Sequence, residues 1–292
     1  MLKTKKRVLI TGANIYIGES FETYMKEYQE FEIDTLDMLS PTWKDYDFSS
    51  YDVVFHVAGI AHSDNGKISE EKAKLYYSIN TDLTEEVAKK AKKQNINQFI
   101  YMSSMIVFGI SSKIGKSKFI DKYTIPKPQN AYGDSKLQAE HKLIKLTDDS
   151  FKVVILRPPM IYGKNSKGNY PILSKYAKKL PIFPNIKNER SMLYIENLCE
   201  FIRLMIANHE QGIFHPQNND YVCTSNLVKI IANKSGNKII LTKIFNPIIY
   251  IFAAFLPVIN KVFGNLNYSK ELSLYNDNYN QVSFIDSIER SK

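Results

Sequence analysis

Tyr132 and Lys136, in the run Tyr132-Gly133-Asp134-Ser135-Lys136, are spaced to stand one turn apart on the same face of a helix. A phenol is a poor base at its usual pKa of about 10, so chemistry at a tyrosine needs the phenolate stabilised. A lysine ammonium nearby favours that charged form. Upstream, Ser103-Ser104 offers hydroxyls that can hydrogen-bond the same substrate oxygen that the tyrosine deprotonates. Beside a hydride carrier, such a trio suits oxidation of a secondary alcohol or reduction of a ketone. Alone, the pair decides little: the chain holds 19 Tyr and 39 Lys+Arg, and a solvated helix face gives the same spacing. The elements that position the trio carry the rest.

Short apolar strands are predicted at residues 7–10, 32–36, 51–57, 98–102 and 152–156, with amphipathic helices at 18–27, at 82–93 and around Lys136. This alternation implies an α/β fold, a doubly wound parallel sheet of Rossmann type covered by helices on both faces. Ligands of such sheets collect at the carboxyl ends of the strands, and Thr11-Gly12, Asp37, Ala58-Gly59 and Ser103-Ser104 all fall there. After Arg157 the texture changes. Residues 163–188 read as loop, broken by Pro171, Pro181 and Pro184, before helices resume at 194–206 and 224–234. The expected division is a Rossmann core over residues 1–160. A smaller substrate-binding lobe is expected over 161–292, with some segments returning to the core.

With 44% hydrophobic and 24% charged residues, the 292-residue chain has the make-up of a soluble globular protein. Its net charge of +9 comes from lysines spread along the chain, so a lysine-rich surface is expected rather than nucleic-acid binding. Cys199 and Cys223 show no metal-ligand or disulfide spacing, and no metal site is expected. The apolar run after Arg7 is too short for a signal peptide, and a cytoplasmic setting is expected. Residues 245–262 contain a nearly unbroken apolar stretch bounded by Pro247 and Pro257, about half the roughly 20 residues that a spanning helix needs. A buried or interface helix is expected there rather than membrane insertion; contact with a membrane surface is the lesser reading.

Thr11-Gly12-Ala13-Asn14-Ile15-Tyr16-Ile17-Gly18 follows a strand and opens a helix, where backbone N–H groups can approach a pyrophosphate. Here the chain resembles the extended short-chain dehydrogenase/reductase family, the nucleotide-sugar epimerases and dehydratases, over nearly its whole length. That family's loop reads Thr-Gly-x-x-Gly-x-x-Gly. Thr11, Gly12 and Gly18 keep it, and Ile15 stands where the middle glycine is expected. A β-branched residue is strained at positive φ and would add a side chain near the phosphates.

The resemblance implies further roles. Asp37, about 20 residues beyond Gly18, would bind the adenosine ribose hydroxyls and repel a 2′-phosphate, favouring NAD over NADP; Asp34 is its rival. Ala58 and Gly59 would lie along the cofactor, with Asn80 on the cofactor side. Ser103-Ser104-Met105-Ile106-Val107-Phe108-Gly109 resembles the family's serine motif. It makes Ser104 the catalytic serine with Tyr132 and Lys136, and Ser103 a supporting residue on the cofactor side. Pro158, in Arg157-Pro158-Pro159-Met160-Ile161-Tyr162-Gly163, would turn the chain toward nicotinamide and sugar. Met160 stands where epimerases often carry asparagine. Asn169 and Arg190 would meet the nucleotide diphosphate, and His62 is an open candidate.

The implied reaction is NAD-dependent C4 epimerisation of a UDP-hexose or UDP-N-acetylhexosamine through a 4-keto intermediate. The alternative is NAD(P)H-dependent reduction of a UDP-4-keto-6-deoxy-hexosamine for capsule or O-antigen polysaccharide synthesis. Met105-Ile106 argues against a dehydratase, which usually carries an Asp-Glu pair there. A non-catalytic dinucleotide-binding sensor is the reading of another class, and Ile15 is its support. Relatives often pair through helices flanking the sheet, so a homodimer through the helices at 82–93 and 132–146 is expected.

Overall fold

In the computed structural model, which describes residues 5–60 and 68–292, six short apolar runs form one parallel sheet. They are Lys6–Thr11 (β1), Phe31–Leu36 (β2), Val53–His56 (β3), Gln98–Met102 (β4), Lys152–Leu156 (β5) and Gly212–Phe214 (β6). The order across the sheet is β6-β5-β4-β3-β1-β2. Side chains of a strand alternate between faces, and here both faces are buried, so the runs are apolar throughout. Leu9, Val54, Phe99, Tyr101, Val153 and Ile155 share a core with Val87, Ala88, Ala91, Ala139 and Leu143. Those partners come from the helices Thr84–Lys93 and Ala131–Leu146. On the opposite face the helix Tyr16–Met25 sets Phe21 against Phe55, edge to face at 5.2 Å.

The chain divides into two units. The first takes Met1–Gly109, Pro126–Pro158 and Leu198–His215 and holds the whole sheet. The second takes Ile110–Ile125, Pro159–Asn197 and Pro216–Lys292. It contains three two-stranded parallel pairs: Phe119–Ile120 with Asn267–Tyr268, Met160–Tyr162 with Met192–Tyr194, and Ile182–Pro184 with Ile240–Thr242.

Several expectations for this half change. The predicted loop at 163–188 contains the helix Asn169–Ala177, because Pro171 sits in its first turn, where a missing N–H costs no helix bond. The apolar stretch folds as two helices, Asn246–Phe252 and Pro257–Phe263, each with proline in its first turn. It is largely exposed rather than buried. No helix among the described residues is long and apolar enough to cross a membrane.

Candidate active site

β1 lies between β2 and β3, so the chain reverses its direction of travel across the sheet there, which opens a crevice at the strand ends. Thr11 ends β1, and its carbonyl accepts the N–H groups of Val57 and Ala58 at 3.1 and 2.9 Å. Gly12 follows at φ +131, and a Cβ there would sit 2.8 Å from the Ala58 nitrogen. Both the conformation and the close approach require glycine. The helix Tyr16–Met25 starts immediately beyond the turn, directing its positive end at this edge. Buried Gly18 lets that helix lie on Ile10 and Val57, each 3.2 Å from where a Cβ would stand.

Ile15 has φ −104 and ψ 123, ordinary extended backbone for a β-branched residue. The left-handed position is Asn14, at φ 59, and asparagine tolerates it. The strain expected at Ile15 is therefore absent. Its side chain still reaches the turn, with Cδ1 3.1 Å from the position of a Gly12 Cβ.

Asp37 is exposed just past the end of β2 and accepts the Leu39 N–H at 2.9 Å. Asp34 lies within the strand and is occupied: the Tyr51 hydroxyl donates to it at 2.8 Å, and Arg7 stands 3.4 Å away. Of the two, Asp37 is the carboxylate at the crevice edge.

Beyond β3, Gly59 faces two side chains. A Cβ there would lie 3.0 Å from Asn80 Oδ1 and 3.2 Å from Lys136 Nζ. Asn80 is fully buried in the π-helical stretch Ser78–Leu83. Its Oδ1 accepts the Ile60 N–H at 2.9 Å, and its Nδ2 donates to the Ile60 carbonyl at 3.2 Å and to Ser135 Oγ at 3.1 Å. It therefore holds the Gly59 loop against the helix that carries Tyr132 and Lys136.

The trio comes together at this edge. Asn130 caps the helix Ala131–Leu146 by accepting the Gly133 N–H at 2.8 Å. Gly133 lets that helix start touch the turn Met105–Phe108, since a Cβ would lie 2.9 Å from the Ile106 carbonyl. Ser104 heads the turn, and its hydroxyl hydrogen-bonds the Tyr132 phenol. The Pro158 carbonyl accepts the Met105 N–H at 2.9 Å and fixes the turn from the other side. Lys136, one helical turn after Tyr132, is buried; its Nζ donates to the Met102 carbonyl at 2.8 Å and lies 4.8 Å from the Tyr101 ring centre.

Burial pushes the Tyr132 phenol up to about 12, against a smaller opposing effect of the Ser104 hydrogen bond. The depression expected from Lys136 does not prevail here. Burial also brings Lys136 down to about 8, while the Glu140 carboxylate holds it up. At neutral pH the pair is thus a neutral phenol and a cationic lysine that loses its charge unusually early.

Glu140 was missed in the sequence, although it continues the Tyr132–Lys136 face by one more turn. It is fully buried and takes the Ser103 hydroxyl, the Arg157 Nε at 3.0 Å and the Arg157 Nη2. Ser103 therefore anchors the strand end and spends its hydroxyl inward. Arg157 also lies 5.1 Å from the Phe108 ring centre and 3.5 Å from His215 Nε2. His215 and His56 are both pushed down to about 3, chiefly by burial, and are neutral. His56 bridges Thr11 and Thr84 at 2.8 and 3.1 Å. Only a fold brings these groups beneath the serine turn; no local spacing announces His215.

A model of the NAD dependent epimerase/dehydratase family matches residues 8–222, most of the chain. The chain belongs to that family. It is 28% identical over 253 residues to the UDP-glucose 4-epimerase of Vibrio cholerae, covering 79% of this chain and 76% of the relative. Among solved structures, the dTDP-4-dehydrorhamnose reductase from Yersinia enterocolitica matches with a TM-score of 0.71 at 19% identity, over 98% of each chain. The UDP-glucuronic acid 4-epimerase from Bacillus cereus in complex with NAD matches with a TM-score of 0.69 at 16% identity, over 98% of this chain and 97% of that one. The two structural likenesses establish the fold.

The remaining candidates lie in the second unit of this family member. Met160 opens a strand and is half-buried. Asn169 is the first residue of the helix Asn169–Ala177. Arg190 directs Nη1 to the carbonyls of Lys261 and Gly264 at 2.9 and 3.1 Å, and burial lowers it to about 10. Part of its fork thus holds backbone of its own unit. His62 lies outside the described residues.

Proposed function

We propose that this family member is an NAD-dependent nucleotide-sugar 4-epimerase acting on UDP-hexoses or UDP-N-acetylhexosamines. The observation that carries the reading is Ser104 hydrogen-bonded to Tyr132, with Lys136 one turn on, beside a Gly59 loop where a Cβ would stand 3.0 Å from Asn80 Oδ1 and 3.2 Å from Lys136 Nζ. That cradle fits a dinucleotide. Gly12 and the start of the following helix would take the pyrophosphate, together with Asn14, Ile15, Tyr16 and Ile17. Asp37 would take the adenosine ribose, and its charge disfavours a 2′-phosphate. Ala58, Gly59 and Asn80 would line the nicotinamide end, with Lys136 on the ribose and Pro158 closing the serine turn.

When bound, the cofactor supplies hydride acceptance and return. The chain's own groups handle the proton. Tyr132 takes it from the C4 hydroxyl and gives it back, and Ser104 hydrogen-bonds the same oxygen. Lys136 supplies the nearby positive charge that favours phenolate while it stays protonated. A phenol at about 12 is a strong base once ionised but is scarcely ionised at neutral pH, so turnover depends on that cation.

A second reading, reduction of a UDP-4-keto-6-deoxy-hexosamine, is favoured by Met160: a thioether there offers the sugar less hydrogen bonding than an asparagine. The sensor reading loses its ground, because Ile15 is unstrained. The test is turnover of UDP-glucose and UDP-N-acetylglucosamine, followed by proton NMR at the C4 position, together with release of bound nucleotide on denaturation. C4 inversion in the wild type and its loss in Tyr132→Phe, with NAD binding kept, are expected. Full activity in Tyr132→Phe overturns the proton role. NAD(P)H consumption with a 4-keto sugar and no inversion transfers the case to the reductase.

A further inference from the structure

The two short helices Asn246–Phe252 and Pro257–Phe263 form a built apolar face in the second unit. Ile244, Ile251 and Phe255 are 79, 65 and 76% exposed, and Ile248, Phe252 and Val258 are exposed too. Exposed aliphatic and aromatic groups in such density are costly in water and mark a surface meant for contact. The pair is not loose chain. Asn260 Nδ2 donates to the Ala253 carbonyl at 2.8 Å, tying one helix to the other. Asn260 Oδ1 accepts the Ile114 N–H at 2.8 Å, which binds in the neighbouring loop. Gly264 seats that loop, since a Cβ there would collide with the Ser112 carbonyl.

Charge says what the face meets. Between Asp220 and Glu271 the chain carries no carboxylate side chain, while Lys229, Lys234, Lys238, Lys243, Lys261 and Lys270 all fall in that interval; of these, Lys234 is paired with Glu289 at 2.7 Å. The loop tied to Asn260 adds Lys113, Lys116 and Lys118 before the first acid, Asp121. Lys113, Lys116 and Lys243 are exposed. An apolar face rich in phenylalanine and isoleucine, with the exposed Lys113, Lys116 and Lys243 beside it, complements a bilayer with anionic headgroups.

We propose that this helix pair docks the chain onto an anionic membrane surface. The apolar side chains enter the headgroup–acyl boundary and the lysines meet the headgroup phosphates. The helices lie in the interface and do not span it, in keeping with their length. The proposal does not depend on which sugar the enzyme takes.

The test is sedimentation of the full chain with vesicles of phosphatidylcholine alone and of phosphatidylcholine with phosphatidylglycerol, at low and high salt. Binding to the anionic vesicles, weakened by salt, is expected. Ile251→Ser with Phe255→Ser should lower the partition coefficient by about tenfold or more while leaving the melting temperature unchanged, because both side chains are exposed. Lys113→Glu, Lys116→Glu and Lys243→Glu together should lower it by about a hundredfold. Failure of the folded chain to bind anionic vesicles overturns the proposal, as does equal binding by the variants. A dimer in size-exclusion chromatography that Ile251→Ser and Phe255→Ser dissociate also overturns it, since a second copy would then cover the face.

Discussion

Replacing Glu140 by glutamine separates what the carboxylate does as an oxygen acceptor from what it does as a charge. The side chains of Glu140 and Arg157 are 0 and 8% exposed, so neither ion has water to fall back on. In Glu140→Gln the amide oxygen can keep one partner, Ser103 or Arg157, but the paired charge-assisted bonds are lost and Arg157 stays buried without the Glu140 charge. Breaking a buried pair in this way costs about 3–5 kcal/mol. At the lower figure, with one hydrogen bond retained, the melting temperature should fall by roughly 6–12 °C. Removing both charges with Glu140→Leu and Arg157→Met should recover most of that loss, because desolvation and attraction nearly cancel for a buried pair.

A second readout reaches the site. Glu140 holds up the Lys136 pKa, which burial has already brought to about 8. Glu140→Gln should therefore move the alkaline limb of the pH–rate profile to lower pH, since Lys136 loses its proton sooner. The assays are thermal melting of the three proteins and initial rates from pH 6 to about 10, a range that spans the lysine transition. A single variant that melts with the wild type and keeps the same alkaline limb would refute both the charge account and the link to Lys136.

Ile15→Gly should leave NAD affinity unchanged and lower stability by about 0.5–1 kcal/mol, because the extended backbone at φ −104 gains nothing from glycine and the unfolded chain gains freedom; isothermal titration and melting check both parts. Gly59→Ala should weaken NAD binding by about tenfold or more, since its methyl lies 3.0 and 3.2 Å from Asn80 Oδ1 and Lys136 Nζ; an affinity equal to wild type would remove Gly59 from the cradle. His56 and His215 sit near 3 when folded, against about 6.5 when unfolded, so the unfolded chain binds more protons between those values. Their contribution to stability is full above pH 6.5 and is lost as pH falls toward 3. At pH 5 each should cost about 2 kcal/mol, visible as a melting temperature that drops on acidification and drops less in a His56→Asn variant.

The sheet was legible because burial on both faces leaves continuous apolar runs, and β4 and β5 fall on the residues the sequence indicates. Tyr132 and Lys136 were legible because their relation is local, one helical turn. One proline misled: Pro171 reads as a breaker but sits in the first turn of a helix, where its fixed φ helps and its missing N–H is not needed, as Pro247 and Pro257 also do at the ends of the apolar stretch they bound. The Ile15 substitution misled in the opposite direction, since the left-handed backbone falls on Asn14. A loop motif reports residue types, while the strain belongs to whichever position takes the positive φ.

What stayed hidden is the support beneath the trio, and the reason is connectivity. Glu140 and Arg157 meet only when β5 delivers the residue just past its end next to the helix face, and His215 arrives from just past the end of β6. One of these groups also bears on the protonation of Lys136. Desolvation alone would drive Lys136 toward neutrality, and the carboxylate that opposes this, Glu140, is paired with Arg157 at 2.5 Å. The arginine needs no contact with substrate or cofactor to matter. It holds Glu140 in place by their paired hydrogen bonds, and Glu140 is the group that raises the pKa of Lys136 against its burial.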